Sequence, residues 1–254
     1  MLNLHNSGME LIHPVPEAAV LDDAALIERY APPANVSRWL RVNFVSSADG
    51  AVEVDGHSHA LSGEQDMRAF RFLRMRCDVL ITGAGTVRTD GYQALKMSPD
   101  RIAWRRDQGL PDHPVMAVIS RSADLDLSMP LFTEAPVKPI VITCESSLPG
   151  RRKEIQKVAD VIVAGDDGVD FPTALNILDK RGLRQQLCEG GPHILGELTA
   201  ADLVDELCLT VSPFLAGAGS GRITAGPSSP LRRMRLAHAL HADDNLLLRY
   251  IRLR

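Results

Sequence analysis

Residues 78–90 read DVLITGAGTVRTD, a short apolar run followed directly by two glycines and a polar segment. A short apolar run bounded by turn residues is typical of a buried strand. Gly83 and Gly85 would let the backbone approach a phosphate closely, and the amides at the start of a following helix would bind that anion. A tight turn without a ligand gives the same pattern. This stretch alone therefore predicts a strand followed by a turn and a helix, but not a function.

Strands and helices alternate on both sides of that stretch. We predict further strands near residues 39–45, 115–119, 140–143, 161–163 and 184–188, and helices near residues 63–76, 151–158, 172–181 and 191–200. Such alternation implies an α/β fold with a largely parallel central sheet and helices on both faces. Extended runs at residues 204–212 and 245–253 predict C-terminal antiparallel strands that close the sheet.

Two local signals refine this organisation. Ser62, followed by Gln65, is typical of a capping box and predicts that a helix starts near Gly63. Residues 1–36 are expected to form an N-terminal arm, with a short helix near residues 22–30 between proline-rich flanks. Residues 37–254 are expected to form one domain, because no linker divides them.

Composition limits the function classes. The chain has 254 residues with a net charge of −4, which offers no general attraction to nucleic acid or to an anionic membrane. No secretory signal and no membrane-spanning apolar run is evident, so we expect a cytoplasmic protein with a small-molecule substrate. The four cysteines form no CxxC pair, and His57 and His59 lack a third ligand, so no metal is expected.

A second glycine turn follows another predicted strand. Glu189, Gly190 and Gly191 come directly after residues 184–188. The two glycines could cradle a phosphate, as Gly83 and Gly85 could. Glu189 would project at the carboxyl end of the sheet, where open α/β folds bind their ligands. The alternative is a plain turn with a solvated glutamate.

Two more strand ends carry polar residues. Ser47 and Asp49 end the first strand, where a carboxylate could hold a polar edge of a substrate or cap the next turn. Ser120 and Arg121 end the strand at residues 115–119, and an arginine there suits the 2′-phosphate of NADP. A surface arginine is the alternative interpretation.

These junctions, taken in order, resemble the reductase domain of riboflavin biosynthesis. The resemblance covers residues 38–253 and rests on four motifs: Ser47-x-Asp49-Gly50, then Gly83-x-Gly85-Thr86-x-x-x-Asp90, then Glu189-Gly190-Gly191, then Leu203-Val204-Asp205-Glu206 with Ser212-Pro213 and Gly217. The family that it resembles is the pyrimidine reductase family, which has a dihydrofolate-reductase-like fold. The order of the motifs is more specific than any one of them.

The resemblance implies a reaction and assigns positions to it. NADPH would reduce the ribosylamino group of a pyrimidinone 5′-phosphate to the ribityl form. The cofactor positions that it implies are Thr86, Asp90, Val163, Gly190 and Gly191, and the substrate positions are Asn43, Ser47, Asp49 and Glu189. We take Asp49 and Glu189 as the catalytic candidates. The resemblance also suggests a homodimer, formed through the late strands.

The chain departs from the family in two places. It has no HxE…PCxxC signature, so it lacks the zinc deaminase of the bifunctional relatives. The family's proline, leucine and phosphate-binding arginine after the position of Asp90 are also missing, and Lys96 could replace the arginine. Two alternatives therefore stay open: a pterin reductase of the dihydrofolate type, and a non-catalytic homologue that binds NADP.

Overall fold

The computed structural model describes residues 21–34 and 36–254. Its strands are β1 (Trp39–Ser47), β2 (Val79–Gly83), β3 (Val115–Ile119), β4 (Ile140–Thr143), β5 (Asp160–Val163), β6 (Gln185–Cys188), β7 (Glu206–Ser212), β8 (Met234–Ala242) and β9 (Asn245–Arg252). Its helices are α1 (Asp23–Arg29), α2 (Glu64–Arg76), α3 (Ala84–Asp90), α4 (Pro99–Asp107), α5 (Pro130–Thr133), α6 (Pro149–Gln156), α7 (Phe171–Lys180) and α8 (Pro192–Ala200).

The strands form a single nine-stranded sheet in the order β5-β4-β3-β2-β6-β1-β7-β9-β8. The pairings among β1 to β7 are all parallel. β9 runs antiparallel to β7, and β8 runs antiparallel to β9. The predicted fold class is therefore confirmed: a mostly parallel central sheet, flanked by helices and closed by C-terminal antiparallel strands.

The central strand β2 shows why the sheet needs helices on both faces. All five of its residues are buried. Leu80 packs into one hydrophobic cluster, whereas Val79 and Ile81 pack into a second cluster. Because successive side chains of a strand point to opposite faces, the two clusters lie on the two sides of the sheet.

The capping-box prediction is wrong, although the helix itself is confirmed. The N-cap of α2 is Gly63, and no side chain caps it. The Ser62 hydroxyl hydrogen-bonds to Asp66 instead, because that buried carboxyl lies within its reach. Gly85 lies inside α3 rather than in a loop before it, since α3 begins at Ala84.

The predicted arm is only partly described. Residues 1–20 lie outside the described residues, whereas α1 agrees with the short helix expected near residues 22–30. Ile27 and Tyr30 are buried in one of the two core clusters, so this part of the arm packs on the domain. In residues 21–34 and 36–254, no helix is long and apolar enough to cross a membrane.

Candidate functional site

A cavity of about 530 Å³ lies where β1, β2 and β6 reach their carboxyl ends. Its floor comes from residues 43–45 of β1 and from Glu189 and Gly191, which follow β6. One side is formed by α3 and the loop after it, and the opposite side by α2. The loop at residues 52–62 contributes the rest of the wall. Ligands of open α/β sheets bind at this edge.

Four side chains of α2 line the cavity: Asp66, Met67, Phe70 and Arg74. Residues three or four positions apart share one face of a helix, so these four form a continuous stripe. None of the four was among the site residues expected from the sequence. The four-residue spacing from Asp66 to Phe70 to Arg74 on a predicted helix is the signal that could have found them.

Glu189 is the most constrained charged group of the cavity. Arg74 donates two hydrogen bonds to it, from Nε to Oε1 at 2.8 Å and from Nη2 to Oε2 at 2.7 Å. The hydroxyl of Tyr92 donates a third to Oε2 at 2.8 Å. The Glu189 side chain is only 2% exposed. Its carboxylate is therefore fixed in orientation by three hydrogen bonds.

Electrostatics keep the two partners of Glu189 in their donor forms. Burial alone would lower the pKa of Arg74, but the Glu189 carboxylate outweighs this effect and raises that pKa. Burial, and then Glu189, raise the pKa of Tyr92 well above its usual value. The Arg74 guanidinium also stacks on Phe70, 4.0 Å from the ring centroid. The arrangement thus fixes the Glu189–Arg74 ion pair in the cavity wall.

Asp66 is a second carboxyl in the cavity wall, and it is just 4% exposed. The side chains of Ser62 and Thr210 hydrogen-bond to it. Burial raises its pKa, because removing water penalises the charged form. Asp90 also lines the cavity, and burial raises its pKa against the opposing effect of His57 and His59.

The two glycine turns approach each other closely. The amide of Gly83 donates to the carbonyl of Gly190 at 2.8 Å. A Cβ atom at Gly191 would lie 3.0 Å from Oγ1 of Thr86. Gly190 has a φ of +96°, and a Cβ there would lie 3.1 Å from the Phe44 ring. A side chain at Gly191 would therefore meet Thr86 of the other turn, and one at Gly190 would meet Phe44 of β1.

The structure brings some predicted residues to the cavity and leaves others at its margin. Asn43, Thr86, Asp90, Glu189 and Gly191 line it. Ser120 and Arg121 follow β3, and Val163 ends β5, so they lie along the same edge of the sheet but are not part of the cavity wall. The Arg121 side chain is exposed.

Ser47 and Asp49 are engaged in a turn and do not line the cavity. Asp49 accepts hydrogen bonds from the Ser47 hydroxyl and from the amides of Ala216 and Gly217, the latter at 2.8 Å. The Ser47 hydroxyl, followed by the two amides, lowers the pKa of Asp49 to about 2. This exposed carboxylate therefore binds a loop that is distant in sequence, and neither the substrate role nor the cap on the next turn described that contact.

Lys96 also lies outside the cavity wall. Its Nζ forms an ion pair with Glu134 at 2.8 Å, and both side chains are more than half exposed. The rings of His57 and His59 lie 5.2 Å apart. Across residues 21–34 and 36–254, no group of three or more His, Cys, Asp or Glu side chains is arranged to hold a metal ion.

Comparisons with known proteins give a consistent result. Residues 38–248 match the family described as the RibD C-terminal domain. A protein of Methanothermobacter thermautotrophicus, named 2,5-diamino-6-ribosylamino-4(3H)-pyrimidinone 5′-phosphate reductase, is 30% identical over 185 residues, which is 72% of this chain and 82% of that protein. An Archaeoglobus fulgidus protein of the same name is 26% identical over 192 residues, 75% of this chain and 87% of its own length.

Solved structures share the fold. A pyrimidine reductase-like protein from Corynebacterium diphtheriae superposes with a TM-score of 0.82 at 22% identity, covering 90% of this chain and 98% of that one. RibD of Acinetobacter baumannii gives a TM-score of 0.68 at 19% identity, covering 85% of this chain and 58% of that one. At these identities the likeness supports the architecture.

Proposed function

The chain belongs to the family of the RibD C-terminal domain, the reductases of riboflavin biosynthesis, and from this premise we propose that it reduces the ribosylamino group of a pyrimidinone 5′-phosphate to the ribityl form with NADPH. The observation that carries the proposal is Glu189, a buried carboxylate that Arg74 and Tyr92 hold at the end of β6. It lies in a cavity beside two converging glycine turns, where a substrate and a cofactor could meet.

The glycine turns fit a nicotinamide cofactor. Gly191 is the N-cap of α8, so the backbone amides of this turn can face a pyrophosphate without interference from a side chain. Thr86 lies beside Gly191 and offers a hydroxyl to the same group. We assign the exposed Arg121 to the 2′-phosphate and Val163 to the outer end of the cofactor site. NADPH, when bound, supplies the hydride.

The residues of the chain bind and orient the acceptor. Glu189 retains free acceptor positions on its carboxylate, which can bind hydroxyl or amino groups of the ribosylamino unit. Asn43 offers both a donor and an acceptor on the floor of the cavity. Lys96 stays our proposed contact for the substrate phosphate. It lies two residues beyond Ala94 of the cavity wall. Because exposed ion pairs such as Lys96–Glu134 contribute little to stability, Lys96 can exchange Glu134 for a substrate phosphate at low cost.

The test is NADPH oxidation with the ribosylamino-pyrimidinone phosphate and dihydrofolate in parallel. We expect turnover with the pyrimidinone phosphate alone. Turnover with dihydrofolate alone would replace the proposal by the pterin reductase alternative. Binding of NADPH without turnover of either compound would favour the non-catalytic homologue.

The cofactor site has its own test. Gly190→Val should abolish NADPH binding in a fluorescence titration, because the side chain would press on Phe44 of the cavity wall and shift the turn that we assign to the cofactor phosphates. Gly109→Val is the matched control: Gly109 also has a positive φ, of +70°, but a Cβ there meets no atom within 4 Å. Equal NADPH affinity of the two variants would contradict the assignment.

Arg121→Ala should narrow the preference for NADPH over NADH, since only NADPH carries the 2′-phosphate. We expect the ratio of the two affinities to fall roughly tenfold, with the affinity for NADH unchanged. An unchanged ratio would make Arg121 a surface residue.

We propose further that the protein is a homodimer formed through its late strands and acts in the cytoplasm. β8 is an edge strand of the sheet, and it carries the exposed side chain of Leu236. An edge strand with an apolar side chain favours pairing with another copy. All four cysteines are free and buried, which suits a reducing compartment. Sedimentation of the wild type and of Leu236→Lys tests the dimer: we expect only the variant to be monomeric.

A further inference from the structure

Asp66 has no part in the function proposed so far. It is a carboxyl in the wall of the substrate cavity, on the α2 face that also carries Phe70 and Arg74. Only 4% of the residue is exposed, and Ser62 and Thr210 hydrogen-bond to it. Within residues 21–34 and 36–254 no cation pairs with it. Burying a carboxyl without a cationic partner costs folding free energy. A role in ligand binding would explain why the chain keeps one here.

The hydrogen bonds of Asp66 leave room for a ligand. A carboxylate has about four acceptor positions, and the hydroxyls of Ser62 and Thr210 occupy at most two of them. The remaining positions suit two neighbouring N–H donors, which is the geometry in which a carboxylate binds bidentately. Both hydroxyls act on the carboxyl of Asp66, because each lowers its pKa against the effect of burial.

The side chains next to Asp66 indicate which shape of ligand fits the cavity. Phe70 lies one helical turn further along α2 and also lines the cavity, with Arg74 stacked on it at 4.0 Å. Met67 lines the cavity beside them. Phe70 and Met67 thus offer an apolar surface to a ligand that also reaches the carboxyl of Asp66. A planar heterocycle with donors along one edge complements this surface.

The charged groups of the cavity also favour a ligand with N–H donors. Four carboxylates line it, those of Glu53, Asp66, Asp90 and Glu189, against the single arginine Arg74. Arg74 is already bound by Glu189 through both oxygens. A ring edge that carries a carbonyl oxygen would therefore face repulsion, whereas an edge that carries amino and ring N–H groups would be attracted.

We infer that Asp66 recognises the acceptor ring by binding the 2-amino group and the adjacent ring N–H of a 2-aminopyrimidin-4-one. This inference rests on the proposed function and narrows it. The archaeal relatives are named for the 2-amino pyrimidinone, and we assign to Asp66 the preference for this ring over the corresponding uracil. The uracil has a carbonyl oxygen in place of the 2-amino group, and that oxygen would oppose the carboxylate of Asp66.

Calorimetry with free rings tests the inference without any turnover. The full-length protein is titrated with 2,6-diaminopyrimidin-4-one and with 6-aminouracil. We expect the wild type to bind the diamino ring about 10- to 100-fold more tightly, the range expected for hydrogen bonds to a buried charge. In Asp66→Asn this preference should disappear, because the amide presents a donor as well as an acceptor. Equal affinities in the wild type, no binding of either ring, or an equal loss for both rings in the variant would overturn the inference.

A second variant guards against a folding defect of Asp66→Asn. Thr210→Val removes one hydroxyl that orients the carboxylate but preserves the shape of the side chain. We expect it to reduce the preference for the diamino ring several-fold while keeping the charge of Asp66. A folded Thr210→Val protein with the full wild-type preference would show that the orientation of Asp66 does not matter for the ring.

Kinetics separate this inference from the proposed function. The ratio of kcat/KM for the 2-amino ribosylamino phosphate and its uracil counterpart should favour the former in the wild type and fall about 10- to 100-fold in Asp66→Asn. If the wild type turns over neither phosphate but keeps the ring preference in calorimetry, the proposed function fails and the role of Asp66 stands. If the wild type turns over both phosphates equally, the role of Asp66 fails and the reductase proposal stands.

Discussion

Two buried glutamates of this protein, each held by arginine, lie at opposite edges of the parallel part of the sheet. Glu189 follows the carboxyl end of β6, and Glu206 begins β7. Arg74 and Tyr92 bind the first, whereas Arg41, Arg249 and the indole of Trp39 bind the second. The chemistry of the two clusters is similar, but their surroundings are not.

The Glu206 cluster is sealed. Glu206 has no exposed side-chain area, and Arg41 and Arg249 are each 7% exposed. The two arginines also donate to backbone carbonyls at the end of α1, for example from Arg41 to Tyr30 at 2.5 Å. They therefore compensate the unpaired carbonyls at the end of that helix. No part of this cluster reaches the cavity.

The Glu189 cluster is open on one side. Its arginine is 24% exposed, and Arg74, Tyr92 and Glu189 all line the cavity. The difference follows from the direction of the strands, because parallel strands gather their carboxyl ends, and the loops after them, at one edge. A buried ion pair at that edge can meet a ligand, whereas the same pair at the other edge can only stabilise the fold.

The comparison is tested most strongly by Glu206→Gln. The change leaves Arg41 and Arg249 buried with a neutral partner, and we expect the free energy of unfolding to fall by about 3–5 kcal/mol. Urea unfolding measures this loss, and kcat/KM per folded molecule should stay near the wild-type value. A variant of wild-type stability would show that the cluster does not hold α1 to the sheet.

Acid should weaken the Glu206 cluster in the same way. Burial alone would raise the pKa of Glu206, but Arg41 and Arg249 outweigh it and lower the pKa from 4.5 to about 2. A lowered pKa contributes stability above the unfolded value that is lost as the pH falls towards the folded value. We expect the contribution of Glu206, roughly 3 kcal/mol, to disappear between about pH 4.5 and pH 2.

Unfolding of the wild type and Glu206→Gln across that pH range isolates this effect. Other carboxylates with lowered pKa, such as Asp49, titrate in both proteins and cancel in the difference. The two stabilities should converge as the pH falls. A difference that is constant with pH would mean that Glu206 is not the titrating group.

Glu189→Gln should show the opposite balance. We expect kcat/KM for the pyrimidinone phosphate to fall about 100-fold, because a fixed charge next to the reacting atoms is lost. Unfolding free energy should fall less than in Glu206→Gln, since Arg74 remains partly solvated. Near-normal turnover would remove Glu189 from the catalytic site and leave two structural clusters in place of one.

Tyr92→Phe should have the smallest effect. It removes the hydrogen bond from the tyrosine hydroxyl to Glu189 but keeps the ring near Arg74. We expect unfolding free energy to fall by about 1 kcal/mol, and turnover to fall by less than in Glu189→Gln. Steady-state kinetics and urea unfolding on the same preparation provide both values. A loss of turnover as large as that of Glu189→Gln would make the hydroxyl, rather than the carboxylate, the central group.

The fold could be predicted from the sequence wherever strands are uniformly apolar. β2, β3 and β4 are buried on both faces, and their sequences show it. β8 was not predicted, because its side chains are partly exposed and arginine and histidine interrupt its apolar residues. α4 was also missed, since most of its side chains are polar and the buried residue that it contributes is Arg105.

The site could be predicted only where its residues directly follow strands. Glu189 and the glycines after it stood out because they end a strand motif. Arg74 and Tyr92 did not, because they lie 115 and 97 residues from Glu189 along the chain and meet it only through tertiary packing. Asp49 stood out for the same reason as Glu189, yet its carboxylate binds the loop at residues 216–217. Sequence position indicates which edge a residue occupies, but not the direction of its side chain.

The residues of the Glu206 cluster are also synthesised at widely separated times. Arg41 is synthesised long before its carboxylate partner, and Arg249 comes only with β9. Until β9 is made, the growing chain contains only one of the two arginines that bind Glu206, so the contacts between this cluster and α1 are incomplete. All cavity residues precede Glu206 in the sequence. We therefore expect them to leave the ribosome before the Glu206 cluster can form and stabilise the domain.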